Sequence, residues 1–405
     1  MNIYLVRHPI FNRMEEVVGY EILFRDGLGG IVGALSPDQA ASRVADALNI
    51  LGIDEVSGEK MAYVPLTRNL LLQDVATFLP NGRVAIELLE EMAPDPEVLD
   101  ACKRLKEAGY PLVLGESALL PQQAPLLALA DILKINGTGA AKEDKTIRAR
   151  LPRGAQLLTA RLERRADFEE AMAVGGQLFQ GNFFSKPVLV TGKEIPGFKL
   201  NYVRLLKETQ RADMDFDRVE KILKMEMSLA YKLLRYINSA YFSFSTEIQS
   251  IRHALMMLGE NAFKKWVSFA ALAGLAQDKP NELVFQATLR GRFLELLAEP
   301  LRLGHRTDDL FLMGMFSLID ALVDRPMADV LKEMPIAQDV KSTLLGEESP
   351  LRDPYRLCLS YLEANWTEFE ALAKKIGIEE AVVPERYMTA LTWTSQHFQG
   401  IPAQA

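Results

Sequence analysis

The chain has 405 residues, 49% of them apolar and 25% charged, and a net charge of −8. That length exceeds one ordinary core, so two domains are expected, and the composition is that of a folded chain rather than a disordered one. An acidic chain without a basic block is poorly suited to neutralising phosphates, which argues against general nucleic-acid binding.

The start, Met1-Asn2-Ile3-Tyr4-Leu5-Val6-Arg7, has no charged leader followed by an apolar region, so no signal peptide is read there. Short apolar runs then predict strands at Ile3–Val6, Val18–Phe24, Ala62–Leu66 and Val84–Leu88, and again at Leu112–Leu114, Ile132–Ile135, Gln156–Leu158 and Gln177–Phe179. Amphipathic stretches such as Pro37–Leu51, Pro96–Ala108 and Arg165–Val174 lie between them. Alternation of strand and helix implies a parallel sheet, open or closed into a barrel. The strands end in polar residues, among them Arg25, Glu87, Glu116, Asn136, Arg161 and Gln180. In a parallel barrel those carboxyl ends share one mouth, where sites are built.

After Lys186-Pro187 the pattern changes. Residues 191–198, rich in Gly and Pro, read as a linker, and beyond it only helical periodicity continues. Val219, Ile222, Leu223, Met227, Ala230, Leu233, Leu234 and Ile237 recur at helical spacing. Further helical patterns cover Ile248–Leu258, Ala262–Ala276, Leu283–Leu303 and Leu310–Val323, then Met327–Lys332, Ile336–Leu345, Pro350–Leu362, Thr367–Ile376 and Ile378–His397. Leu310–Val323 falls short of the ~20 residues a membrane span needs, so a buried helix is expected and no membrane partner. Two cysteines, Cys102 and Cys358, argue against a disulfide framework and a cysteine zinc site and fit a cytoplasmic protein.

Two segments carry a family resemblance. Gly19-Tyr20-Glu21-Ile22-Leu23-Phe24-Arg25 and Gln180-Gly181-Asn182-Phe183-Phe184-Ser185-Lys186-Pro187 resemble the first and last signature segments of the EAL family, barrel phosphodiesterases that cleave cyclic di-GMP. The resemblance implies divalent cations at the strand ends, held by carboxylates and an amide, that activate a water and neutralise phosphate charge. It assigns metal-ligand or catalytic positions to Glu21, Glu87, Glu116, Lys134, Glu163 and Gln180, and ligand contacts to Glu21, Leu23, Arg25 and Gln180. It also assigns three ligand positions to residues that have no side-chain oxygen: Pro65, Gly115 and Ala160. Ile22 stands where the family has alanine, Glu116 is one methylene longer than the family's aspartate, and Glu90 is kept beside Glu87. With Pro65, Gly115 and Ala160 emptied, the metal shell is expected to be lost and the survivors to serve as vestiges or as ion pairs. Glu21 and Glu87 could pair with Arg7, Arg25 or Lys134. Phe183 and Phe184 read as core rather than as a base-stacking platform.

In the helical half, Leu234-Arg235-Tyr236-Ile237-Asn238-Ser239-Ala240-Tyr241-Phe242 followed by Ile248-Gln249-Ser250-Ile251-Arg252-His253-Ala254-Leu255-Met256-Met257-Leu258-Gly259 is similar to the HDOD family. Such domains look like metal-dependent HD phosphohydrolases stripped of catalysis. The paired His-Asp of an active enzyme would fall at Ser317 and Leu318, and none of the four histidines, His8, His253, His305 and His397, precedes an aspartate. Asn238-Ser239-Ala240-Tyr241 reads first as a helix end. The methionines Met225, Met227, Met256, Met257, Met313 and Met315 read as packing, then as a plastic partner surface. Lys264-Lys265 with Arg290 and Arg292 reads as a solvated face.

The expected fold class is thus α/β plus all-α: a shortened, modified TIM-like barrel over 1–190, a linker over 191–198, and an all-helical HD-like domain over 199–405. The resemblance implies a non-catalytic bacterial signalling protein in a cyclic di-GMP setting. No cofactor is expected. The partners are unidentified signalling proteins, with homodimer formation left open. Two alternatives stand beside it, a cyclic di-GMP receptor and a weak metal-dependent phosphodiesterase.

Overall fold

The structure is a computed structural model. It describes residues 3–26, 52–89, 92–139, 147–187, 197–211, 213–225, 233, 237–238, 248, 250–276 and 278–399. The expected helix Pro37–Leu51, residues 191–196 of the expected linker, and most of the segment from Glu226 to Gln249 lie outside these residues. The chain divides into two compact units: Met1–Lys186 together with Leu359–Ala405, and Pro187–Cys358.

The first unit is a closed eight-stranded barrel in the order β1 (Ile3–Phe11), β2 (Val17–Asp26), β3 (Met61–Leu66), β4 (Val84–Leu88), β5 (Leu112–Leu114), β6 (Ile132–Asn136), β7 (Gln156–Ala160) and β8 (Leu178–Gln180). Strands β2 to β8 run parallel to their neighbours, while β1 is antiparallel to both β2 and β8. The exception corrects the all-parallel expectation, and its cause is local. A parallel connection needs a crossover of a dozen or more residues, but β1 and β2 are joined by a tight turn. Asn12 Oδ1 accepts from the backbone of Met14 (2.8 Å) and Glu16 (3.0 Å), and Glu15 takes a left-handed φ of 60°.

Residues of alternating register face the barrel axis. Tyr63, Ala85, Val113, Ile132, Leu158 and Leu178 pack there with Ile10 into a buried plug. The helices lie outside. On Pro96–Glu107, Val98, Ala101, Cys102 and Leu105 are buried at helical spacing, and Asp95 caps the helix by accepting from Val98 N at 3.0 Å. At the end of the barrel, Gly181 takes φ 140°, and a Cβ there would lie 2.2 Å from the Leu162 carbonyl oxygen. Only glycine lets the backbone pass so close. Phe183 and Phe184 are buried against Phe11, as expected of core residues.

The C-terminal residues correct the expected domain limits. The helical domain was expected to run to residue 405, but Leu359–Ala405 belongs to the barrel's unit. The reason is aromatic packing on β1. Tyr4 is surrounded by Tyr361, Trp366 and Phe369 with ring centroids 6.1–6.2 Å away, and Tyr387 lies 5.2 Å beyond Tyr361.

Every element of the second unit among its described residues is a helix. Its core includes the crossing of Asn281–Leu297 with Thr307–Phe316, where a Cβ on Gly314 would lie 2.4 Å from Gly291 N. The expected helices Ile248–Leu258 and Ala262–Ala276 form one element, Ile251–Leu275, interrupted at Gly259 with φ 72°. The Asn238 side-chain amide holds the backbone of Ile248, donating to its O (2.7 Å) and accepting from its N (2.8 Å), as a role at a helix end requires.

Two further expectations are corrected in this unit. Met256 and Met257 are not core: they are 70% and 45% exposed, whereas Met313 and Met315 are buried. Lys264 and Lys265 are not a solvated face either. Lys265 sits between Glu295 (2.5 Å) and Asp308 (3.0 Å) beside a buried Trp266, and Lys264 pairs with Glu260 at 2.6 Å. No helix of the described residues is long and apolar enough to cross a membrane.

Candidate functional site

The mouth of the barrel is built one residue pair above the apolar plug. Glu87 follows Ala85 on the same face of β4, Lys134 follows Ile132 on β6, Gln180 follows Leu178 on β8, and Glu21 follows Gly19 on β2. The sequence positions separated by tens of residues therefore converge. Lys134 Nζ lies 2.6 Å from Glu21 Oε1 and 2.9 Å from Glu87 Oε1, and Gln180 Nε2 donates to Glu21 Oε2. The three charged side chains are only 13–17% exposed. Of the ion-pair partners considered for the two glutamates, Lys134 is the one observed among the described residues.

Electrostatics in this triad are uneven. Burial pushes the Glu21 carboxyl up, but Lys134 and the Gln180 amide overcome it and hold the group below the ordinary carboxylate range. Burial and the charge of Glu21 push the Glu87 carboxyl up to about 7, because one ammonium does not balance two buried carboxylates. Burial lowers Lys134, yet the two glutamates outweigh it and leave its affinity for the proton raised. Tyr63, one layer down, is pushed up to about 12 by burial and by Glu87.

The remaining sequence-marked residues fall around this triad. Pro65 is the register partner of Glu87, Gly115 follows β5, and Ala160 ends β7, buried, before Arg161 turns the chain with a left-handed φ of 59°. All three continue the inner face of their strands and carry no oxygen there. Glu116 leaves the cluster, its Oε2 accepting from Asn136 N at 3.3 Å. Glu163 is exposed in the loop before Arg165–Ala173, with its own N–H directed to Asp167. Leu23 pairs with Val6 across the β1–β2 ladder, and Arg25 pairs with Tyr4; the Arg25 side chain and Glu90 lie outside the described residues. Arg7 is on the outer face, bonded to Val56 O at 2.7 Å and stacked over Tyr20.

One residue was missed in the sequence. His8 is the cross-strand partner of Glu21, and its Nε2 bonds Leu362 O at 3.0 Å. The available signal was its two-residue offset from Ile10, which puts it in phase with the inner face.

A cation site needs several oxygens free to converge. Here both oxygens of Glu21 and one of Glu87 are engaged by Lys134 and Gln180. Among the described residues no group of three or more His, Cys, Asp or Glu side chains could hold a metal ion.

In the second unit, Ser317 follows the helix Thr307–Phe316. Its hydroxyl donates to Gly314 O at 2.7 Å and accepts from Arg290 Nη1 at 3.3 Å. Leu318 is buried. Asp320, the acid nearest in sequence, has its carboxyl raised by burial, with Arg290 opposing.

Comparison with known proteins gives this geometry a lineage. The HDOD domain family profile matches residues 195–337. The chain is 32% identical over 404 residues to Bacillus subtilis YuxH, covering 97% of this chain and 98% of that protein. It is 29% identical over 397 residues to a Vibrio cholerae protein named cyclic di-GMP phosphodiesterase CdgJ, covering 96% and 92% respectively. The chain belongs to the EAL–HDOD family. Among solved structures, the EAL–HDOD chain is similar to an EAL domain protein of Listeria monocytogenes, with 15% identity over 45% of this chain and 87% of that one and a TM-score of 0.36. The Bacillus subtilis YkuI protein, solved with cyclic di-GMP and calcium, is 18% identical over 56% of this chain and 73% of that one, with a TM-score of 0.37.

Proposed function

We propose that this EAL–HDOD protein is a non-catalytic, cytoplasmic signal-transduction protein. Its barrel serves as a regulatory module in a cyclic di-GMP setting, and its helical unit recruits signalling proteins. One observation carries the reading: the Lys134 ammonium bridges Glu21 and Glu87 at 2.6 and 2.9 Å, so these two acids are already engaged from within. Pro65, Gly115 and Ala160 supply no side-chain oxygen with which to complete a shell around divalent cations. The metal chemistry of the family is not supported by this donor set.

A second reading is favoured by the retained Glu21 and Gln180, which leave a polar mouth able to bind cyclic di-GMP without hydrolysing it. The name of the CdgJ relative keeps a third, metal-dependent phosphodiester hydrolysis. Calorimetry with cyclic di-GMP, with and without magnesium, together with analysis of the products, separates the three. Neither heat of binding nor product supports the scaffold, metal-independent binding supports the receptor, and magnesium-dependent product supports the enzyme.

A further inference from the structure

Strand β2 bonds β3 only through Gly19–Glu21, and β1 bonds β8 only through Ile10 and Phe11. Beyond those pairs the two strands leave the barrel wall as a two-stranded ribbon on the mouth side. Tyr4, Val6, His8 and Ile10 alternate onto one face of β1. Ile10 belongs to the barrel plug and His8 stands opposite Glu21, so that face continues the barrel's inner surface.

We infer that the chain covers its own barrel mouth: residues Leu359–Phe369 lie on the mouth-facing side of this ribbon, and a ligand reaches Glu21 only when they lift. The cover touches the ribbon along its length. Leu362 O accepts from His8 Nε2 at 3.0 Å, directly beside Glu21, and Tyr361 Oη donates to Leu5 O at 3.3 Å. Tyr361, Trp366 and Phe369 enclose Tyr4, which is buried, as is Val6 between Tyr4 and His8. The occupant is a segment of the same chain within the same compact unit. Gating of the mouth rests on the reading of that mouth as a nucleotide-facing surface, whereas the cover itself does not.

The test uses the full chain carrying Val6→Cys, with maleimide as the probe. Cys102 is buried in the barrel unit, and Cys358, buried next to the cover, is replaced (Cys358→Ser) in every protein compared, so that labelling reports on position 6. The inference expects slow labelling at position 6, accelerated about tenfold or more when Trp366→Ala loosens the cover, because labelling then follows local opening. Rapid labelling of Val6→Cys alone, or a rate indifferent to Trp366→Ala, overturns it. Should Trp366→Ala fail to fold, His8→Ala gives the same readout by removing the bond to Leu362. Cyclic di-GMP binding is measured on the same proteins. An apparent affinity about tenfold higher in Trp366→Ala than in the parent supports gating, since a closed majority state lowers apparent affinity by the open fraction. Accelerated labelling with no nucleotide binding in either protein keeps the cover and removes the receptor reading.

Discussion

Glu87 and Lys134 are 2.9 Å apart, yet the Glu87 carboxyl is held up at about 7 instead of being pulled down by the ammonium. Burial, and after it the charge of Glu21, explain the inversion. Glu21 holds the same ammonium at 2.6 Å and adds the Gln180 amide, so Glu87 is left buried beside a second negative charge. The pair therefore keeps a proton near neutrality that two free carboxylates would have lost, and it titrates as a unit.

A pH dependence of stability follows from that proton. The folded Glu87 binds its proton more tightly than the unfolded residue, whose ordinary value is 4.5. Its contribution is fully present below about 4.5 and is lost as pH rises through about 7. Urea unfolding between pH 5 and pH 8 checks this. Glu87→Gln is expected to remove that slope and to gain on the parent by on the order of 1–3 kcal/mol at pH 8 relative to pH 5. Glu21 runs the other way. Its depressed carboxyl contributes stability above the ordinary carboxylate range that is lost in acid.

Removing the ammonium unmasks two buried acids. Lys134→Met is expected to destabilise the fold by about 3–5 kcal/mol, the cost of leaving buried charge without its partner. The same variant is expected to gain affinity for calcium, read as a rise in melting temperature with added metal that the parent does not show. An equal response to calcium in both proteins contradicts the idea that Lys134 occupies the ground a cation would need.

The backbone crossing at Gly181 leaves no room for a methyl group. A Cβ would meet Leu162 O at 2.2 Å and Leu162 N at 2.4 Å, and φ is 140°. Gly181→Ala is expected to cost on the order of 2–4 kcal/mol through clash and backbone strain together. Thermal unfolding of the purified variant measures it.

The seam between β1 and the C-terminal helices has a polar stitch that can be removed cleanly. Tyr361→Phe keeps the ring among Tyr4, Trp366 and Phe369 and deletes the bond to Leu5 O. A loss of about 1 kcal/mol in urea unfolding is expected. A much larger loss would mean that the hydroxyl holds more than this one carbonyl.

Much of this architecture was legible in the sequence. Eight short apolar runs with polar ends marked the eight strands, because barrel strands buried on both faces leave a nearly continuous apolar trace. Glu87 and Gln180 stood at strand ends, so their meeting at one mouth followed from a parallel barrel, whereas Glu21 and Lys134 lie inside their strands and were marked only by the family resemblance. The reversed β1 was hidden because alternation of strand and helix does not reveal a single tight turn, although Asn12 was there to make it. The attachment of the C-terminal helices was also hidden. Tyr361 and Phe369 sit at ordinary helical core spacing, which shows that a face is buried but not against what. Lys265 looked solvated because its partners, Glu295 and Asp308, are brought to it only by tertiary packing.

The central claim is that the Glu21–Lys134–Glu87 cluster replaces a metal centre. Its most direct test is a turnover assay: purified full-length protein incubated with cyclic di-GMP and magnesium, with the linear and mononucleotide products resolved over time. The account expects no product above the buffer control, in the parent and in Glu21→Ala alike. Magnesium-dependent product in the parent that disappears in Glu21→Ala would contradict it and make this chain an active phosphodiesterase.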